Sequence, residues 1–313
     1  MRALSFHEAE AYLQPTAPPS PHAFPVHAVN PRGHLHALLT QCPLPYRDPK
    51  SPVWSLVNGR YTIIIAGGYV AGPNGTAIAL GVPYGSRARL LLAHIQTYAV
   101  RHRTPVIPVG ASFSGFVKSL GFRVSGGANG SLNAFREQTL RLAASSWTFA
   151  SANPETETVD NHFARLMGGI ELFYRRETGE LRLSKWPREI HLTDAFYEHL
   201  REHACPFDLI AYSQLSSNAR AMDIYCWLAH RLRRIPRDRP LVLTVAQLAQ
   251  QFAIGVHPGT HAGSHILAAL DLALSVYPWA RVTRERVCQG RSRVWRVTFA
   301  HSLPPIAAAC QVK

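Results

Sequence analysis

An α+β fold, two units in tandem behind an irregular proline-rich leader, follows from three observations. Prolines crowd the first fifty-odd residues, at Pro15, Pro18, Pro19, Pro21, Pro25, Pro31, Pro43, Pro45, Pro49 and Pro52, and each denies the backbone a donor and a helix interior. From Trp54 onward, short β-rich runs alternate with amphipathic helical runs. One order of elements, helix–strand–helix–helix–hairpin, is then met twice, although the residues themselves do not repeat.

In the first unit, Tyr61 to Ile65 is a β-rich run, and the Gly72–Gly75 segment is a turn that returns the chain through Thr76–Leu80 as a hairpin. The segment GSRARLLLAHIQTYAVRHR places Leu91, Leu92, Ile95, Tyr98 and Ala99 on one helical face, and Thr104-Pro105 ends it. PVIPVG is a short extended piece. Ser112 opens a short helix that Gly121 closes. A glycine-rich turn leads into the next helix, where Leu132, Phe135, Leu140 and Leu142 form an apolar stripe and Asn133, Arg136 and Arg141 face outward. A hairpin around Glu177-Thr178-Gly179 completes the unit.

The order then recurs. Residues 216–234 form a helix with Ala221, Ile224, Tyr225, Leu228 and Leu232 inside, LVLT is a strand, and Thr244 caps the helix TVAQLAQQFAI. A Gly/Pro linker precedes a longer helix stopped by Pro278, and two alternating strands turn at Gln289-Gly290. Such units are winged helices. The expected organisation is a disordered or irregular leader over 1–54, a first winged helix over 55–200 for self-association and auxiliary DNA contacts, a second over 201–303 as the principal DNA reader, and a tail over 304–313.

Charge points to a polyanionic partner. The chain carries 33 Lys+Arg against 19 Asp+Glu, a net +14, and only Lys50, Lys118, Lys185 and Lys313 are lysines. The charge is uneven: 84–200 has 14 basic and 10 acidic residues (+4), and 201–313 has 14 and 6 (+8). No apolar run approaches the ~18 residues that span a bilayer, and the first residues lack a secretory pattern. A soluble intracellular protein without membrane contact is expected. The five cysteines are scattered without a C-x-x-C pair, and the histidines lack an H-E-x-x-H, so neither a disulfide framework, a metal site nor a cofactor is expected.

The densest signal is the last hairpin, with Arg281, Arg284, Arg286, Arg291, Arg293 and Arg296 opposed only by Glu285. Residues two apart share a face of a strand, so Arg284 with Arg286 and Arg291 with Arg293 cluster. Phosphates would neutralise them and make binding salt-dependent. The helix before the hairpin has a polar first turn, Thr260, His261, Ser264 and His265, placed as a recognition helix places its base-reading end. Gln247, Gln250 and Gln251 on the preceding helix are suited to bases or phosphate. In the first unit Lys118, Asn133, Arg136 and Arg141 make a thinner basic face. Strands such as Tyr61–Ile65 and Leu181–Leu183 offer edges for self-association.

No catalytic residue is expected. GGYVAGPNG lacks the Gly-Lys-Ser/Thr ending of a phosphate loop. His34-Leu35-His36 has the His-hydrophobic-His form used by metal-dependent nicking endonucleases. That chemistry needs a rigid strand, a nearby acid and a tyrosine nucleophile, and here the triplet falls in the leader. Nicking is therefore the alternative enzymatic reading. A winged-helix transcriptional repressor is another alternative.

Several segments together resemble one family. GVPYGSRARLLLAHIQTYAV is similar to the "LPYGSIPRLLLAW" segment of plasmid-encoded RepA-type replication initiators. VGASFSGFVKSLGF followed by GGANGSLNAFREQTLRL resembles their "LG-S-x-x-x-F-x-x-x-LG … GG … R-x-x-x-x-RL" stretch, and NARAMDIYCWLAHRLRR their "S-x-x-ALDIYxWLxYR" helix. The likeness runs over about 55–300 with the motifs in order. Ser86-Arg87-Ala88-Arg89 departs from Ser-Ile-Pro-Arg, and the leader is not shared. The resemblance implies a non-enzymatic protein that binds repeated double-stranded origin sites (iterons), helps melt an AT-rich region and recruits the host initiator and helicase. It also implies a homodimer in equilibrium with monomer, the dimer repressing its own synthesis.

Overall fold

The computed structural model describes residues 31–72, 75–108, 110, 112–120, 124–125, 130–153, 158–167, 173–174, 181–182, 189–252, 262–289 and 292–306. The leader as far as residue 30 and the tail beyond 306 lie outside them.

Packed structure begins well before Trp54. Strand β1 (Arg32–His36) runs antiparallel to β12 (Ala204–Asp208), with Leu35 opposite Cys205. Helix α1 (Ala37–Gln41) follows, and Leu35, Leu39, Cys42 and Leu44 all belong to the hydrophobic core. The expectation of an irregular leader to residue 54 is therefore corrected for 32–44. Proline forbids regular pairing only at and beside its own position, and the run between Pro31 and Pro43 contains none.

An antiparallel sheet in the order β2-β3-β7-β8 builds the first half, from β2 (Val53–Asn58), β3 (Tyr61–Ala66), β7 (Ser146–Asn153) and β8 (Thr158–Arg165). Ile63 faces Phe149 and Ile65 faces Trp147 across the β3–β7 ladder, and this period-two set is fully buried. Because β2 and β7 occupy both sides of β3, Tyr61–Ile65 is not a free edge for self-association. Nor does β3 pair with Thr76–Leu80. The turn at Gly72–Gly75 instead joins β4 (Gly68–Ala71) to β5 (Ala77–Gly81). Gly67 separates β3 from β4 and Gly68 opens β4: a Cβ on Gly67 would meet the Gly81 backbone, and one on Gly68 the Ala144 carbonyl.

Helix α2 (Gly85–His102) is buried without a break from Ala88 to Thr97, as a helix must be when it sits at the centre of a core. Around it lie β6 (Val106–Pro108), α3 (Phe113–Ser119, whose cap Ser112 accepts from the Gly115 N–H) and α4 (Ser131–Ala144). The pair β9 (Phe173–Tyr174) and β10 (Leu181–Arg182) is antiparallel, as the hairpin reading requires. Its turn at 177–179 lies outside the described residues. Strand β11 (Glu189–His191) returns to pair with β6.

Helix α5 (Asp194–His203) crosses the expected boundary at 200/201 and leads directly into β12. Asp208 caps α6 (Leu209–Gln214) through the Ile210 and Ala211 N–H groups, and Asn218 caps α7 (Ala219–Arg231). Residues Ala221, Ile224, Tyr225, Leu228 and Leu232 are all buried, as the 3.6-residue period predicts. Strand β13 (Leu241–Thr244), α8 (Val245–Phe252), α9 (Ala262–Ser275), β14 (Val282–Gln289) and β15 (Ser292–Phe299) complete the chain. Their sheet has the order β13-β15-β14.

One buried side chain of the first half reaches into the second. Arg89 of α2 is 3% exposed. Its Nε donates to Asp223 Oδ1 at 2.8 Å and its Nη2 to Asp223 Oδ2 at 2.7 Å, on α7. The other donors reach the Leu44, Pro45 and Gly85 carbonyls at 2.6, 3.2 and 2.9 Å. Burial works against the guanidinium's charge, and Asp223 more than offsets this, so the Arg89 pKa is raised. Burial also lifts the Asp223 carboxyl against the pull of Arg89. Two short bonds to separate oxygens are those of a carboxylate, and the pair is ionised.

If 32–44 is core, Leu35→Ala lowers the unfolding free energy by about 2–5 kcal/mol, measured by urea denaturation. A loss below about 0.5 kcal/mol would return the segment to a peripheral role.

Candidate nucleic-acid interface

Cross-strand pairing decides which hairpin arginines share a face. In β14–β15, Arg284 stands opposite Val297, Arg286 opposite Trp295 and Cys288 opposite Arg293. Near the base of this face Val297 and Phe299 are buried. Farther out Arg284, Arg286 and Cys288 are exposed, so the hairpin projects beyond the core it caps. Trp295 stiffens the projection: the Arg286 guanidinium lies 5.1 Å from its ring and that of Arg284 6.0 Å, contacts of the cation–π kind.

The arginines are less unopposed than their spacing suggests. Arg284 pairs with Asp271 of α9 at 2.8 Å, and Arg296 with Glu285 on the other face at 2.7 Å. Exposed pairs of this kind are worth less than about 1 kcal/mol, so they do not withhold the guanidinium from a phosphate. Arg281 and Arg286 are exposed. Arg291 and the side chain of Arg293 lie outside the described residues, as do Thr260 and His261.

Ser264 and His265 are exposed at the start of α9, whose Ile266, Ala269, Leu270 and Ala273 turn inward. The three glutamines part company. Gln247 Oε1 accepts from the Thr244 N–H at 2.8 Å while Thr244 Oγ1 accepts from the Gln247 N–H, a reciprocal cap that uses Gln247 in starting α8. Gln251 Nε2 donates to the Gln41 carbonyl at 2.8 Å. Gln250 is exposed.

In the first half, Lys118 is exposed, and Asn133 accepts a bond from Arg136 at 3.2 Å. Arg136 also lies 5.4 Å from the Phe113 ring. Arg141 does not face outward. Its side chain is 11% exposed, pairs with Asp48 at 2.9 Å and Glu137 at 2.8 Å, and donates to the Val82 carbonyl. Burial alone would raise the Asp48 carboxyl, yet bonds from the Lys50 N–H, Arg141 and the Lys50 ammonium hold it down at about 2. Arg141 fastens β5 and α4 to the 48–50 turn.

A second basic run went unread in the sequence. Between α7 and β13, Arg231, Arg233, Arg234, Arg237 and Arg239 stand with Asp238 as the one acid, and all but Arg233 are exposed. The spacing carries that signal in plain view. Outside these faces, His36, His199 and His203 bring their ring nitrogens within 4.8 Å of one another, close enough to share a metal ion. The signal for that group was the i, i+4 pair His199/His203 on α5.

A model of the family described as "Plasmid encoded RepA protein" matches residues 82–247. That is more than half of the sequence. The chain belongs to the plasmid-encoded RepA family. The matched stretch contains both Arg89 and Asp223, and ends before α9 and the arginine hairpin. No curated protein matches by sequence. Among solved structures, RctB domains 2–3 are similar in fold with a TM-score of 0.53 at 12% identity, over 84% of this chain and 96% of that one. No helix among the described residues is long and apolar enough to cross a membrane.

The role of Arg141 is testable through Asp48. A carboxyl whose folded pKa is depressed adds stability above its unfolded value, near 3.9, which is lost as pH falls through about 2. Arg141→Ala should raise the Asp48 pKa in a 13C-detected NMR titration. It should also lower stability at pH 7 while the deficit shrinks below pH 4. An unmoved Asp48 titration would make Arg141 a free surface cation.

Proposed function

We propose that this member of the plasmid-encoded RepA family is a replication initiator that binds repeated sites at a plasmid origin. It reads them through two winged helices, the second of which, α7 to β15, is the principal reader. Family membership supports the role in initiation. The observation that carries the DNA reading is the sheet order β13-β15-β14 together with the Arg284–Asp271 pair, which ties the Arg286/Trp295 hairpin to α9. In that order the second helix of the pair enters the major groove while the hairpin lies along the backbone. Arg286 and Arg281 then meet phosphates, Ser264, His265 and Gln250 face bases, and the 231–239 arginines extend the electrostatic footprint. Lys118, Asn133 and Arg136 supply auxiliary contacts from the first half. By family resemblance, the bound protein helps open an AT-rich region, recruits the host initiator and helicase, and represses its own synthesis as a dimer.

The activity is binding, not catalysis. His34-Leu35-His36 does lie on a strand, β1, but its two rings have different neighbours. His34 sits between Arg32 and Arg101, where burial and then those charges push its pKa down to about 3. His36 stands among other histidines.

Fluorescence anisotropy on an origin-repeat duplex and a scrambled duplex, each titrated with salt, tests the reading. Preference for the repeat is expected; equal affinity for both would overturn it. Arg286→Ala should weaken both complexes alike and reduce the salt slope by about one. Gln250→Ala should cost about 1–3 kcal/mol on the repeat alone. Supercoiled origin plasmid incubated with Mg²⁺ or Mn²⁺ should stay closed, and protein-tagged open circles would establish nicking instead.

A further inference from the structure

The three histidines lie where the N-terminal strand, helix α5 and the β2-β3-β7-β8 sheet come together. His36, at the end of β1, is fully buried. Its ring stacks 4.9 Å from Phe149 and 6.4 Å from Phe196, so one side of the group is apolar. His199 is half-buried and His203 exposed, so the other side opens to water. Ring centroids are 4.7 Å apart for His36–His199, 4.4 Å for His199–His203 and 5.6 Å for His36–His203. His162 of β8 stacks on His199 at 4.5 Å.

Such a group has no ordinary electrostatic reason to exist. Among the described residues no carboxylate hydrogen-bonds to any of the three rings. Burial, followed by the neighbouring rings, lowers the His36 pKa well below its usual value, and takes that of His199 to about 4 although Glu202 pulls it upward. A neutral imidazole keeps a lone pair on one nitrogen, the form in which histidine binds metals.

The hydrogen bonds specify which nitrogen that is. His203 Nδ1 lies 3.0 Å from the His199 carbonyl, so it carries the proton and leaves Nε2 free. This backbone bond orients metal-binding histidines elsewhere. His36 Nδ1 accepts the Leu38 N–H at 3.2 Å, and its Nε2 stands 3.0 Å from His199 Nδ1. His36 thus donates from Nε2 to His199 Nδ1, and His199 holds its own proton on Nε2. Two of the three rings, His199 and His203, already have the tautomer of a ligated histidine. In the third, a metal ion displaces the shared proton from Nε2 to Nδ1, and the Leu38 N–H loses its acceptor.

From this geometry we infer that His36 Nε2, His199 Nδ1 and His203 Nε2 form a three-histidine site for a divalent transition metal of the zinc class. Three imidazoles suit zinc and its borderline neighbours rather than calcium or magnesium, which prefer oxygen. The fourth position opens toward water on the His203 side. Because the ligands come from β1 and from the C-terminal half of α5, which continues into β12, the ion fastens the N-terminal strand to the junction of the two halves. The inference is independent of the DNA reading.

The experiment uses the untagged full-length chain, freed of metal by chelator and dialysis, and titrated with Zn²⁺ by calorimetry and with Co²⁺ in the visible. One equivalent of Zn²⁺ and the strong visible bands of four-coordinate Co²⁺ are expected. His203→Ala, at an exposed position, should weaken Zn²⁺ binding at least ten-fold, and His265→Ala on α9 should leave it unchanged. Zinc should also speed hydrogen exchange at the Leu38 amide, an effect that surface coordination would not produce. Wild-type protein that binds no Zn²⁺, or binding equally tight in His203→Ala and His199→Ala, would overturn the site.

Discussion

A single guanidinium organises the molecule. Arginine has five N–H donors, and each of those on Arg89 has an acceptor: two on the Asp223 carboxylate and three on the carbonyls of Leu44, Pro45 and Gly85. The chain around it is arranged to make this possible. The proline-flanked 43–46 segment presents its carbonyls, α2 brings the arginine from one half and α7 the aspartate from the other. Tyr46 lies 5.0 Å beneath Arg89 and 4.7 Å from Arg220. A buried pair of this kind adds little net stability when complete, but removing one partner strands the other charge and costs about 3–5 kcal/mol. It therefore specifies how the halves fit rather than how tightly the core holds.

That fit has a functional consequence. Strand β1 pairs with β12 beyond the first half, and α2 packs against both α5 and α7. The DNA contacts proposed for Lys118 and Arg136 in one half and for Arg286 in the other would thereby share one frame. A protein that reads repeated sites with two units gains register from such a frame, because each unit's phosphate contacts constrain where the other can reach bases. The unmatched departure Arg87-Ala88 in the family-like segment leaves Arg89 itself in place.

What could be read from the sequence was what is local. Periodicity placed α7 and its inner face, Thr244 announced the start of α8, and the arginine spacing located the β14–β15 hairpin. Pairings between distant segments were not legible. Strand β1 meets its partner more than 160 residues away, and β3, already paired with β2, takes β7 and not Thr76–Leu80 as its other neighbour because Gly67 and Gly68 break the run between them. Arg141 reads as a surface cation on a helical wheel and becomes structural only when Asp48 arrives from another segment. His36 is likewise a ring in a proline-rich stretch until α5 supplies His199 and His203. The family-like segments held the decisive residues, Arg89 and Asp223, but nothing in either segment states that they touch.

A double-mutant cycle across that contact tests the account most directly. Unfolding free energies would be measured in urea for the wild type, Arg89→Met, Asp223→Leu and the double variant. If the pair sets the junction, each single change removes about 3–5 kcal/mol, and the double variant recovers most of it by leaving no stranded charge. Losses that simply add would contradict the account, and would make Arg89 and Asp223 two independent core positions.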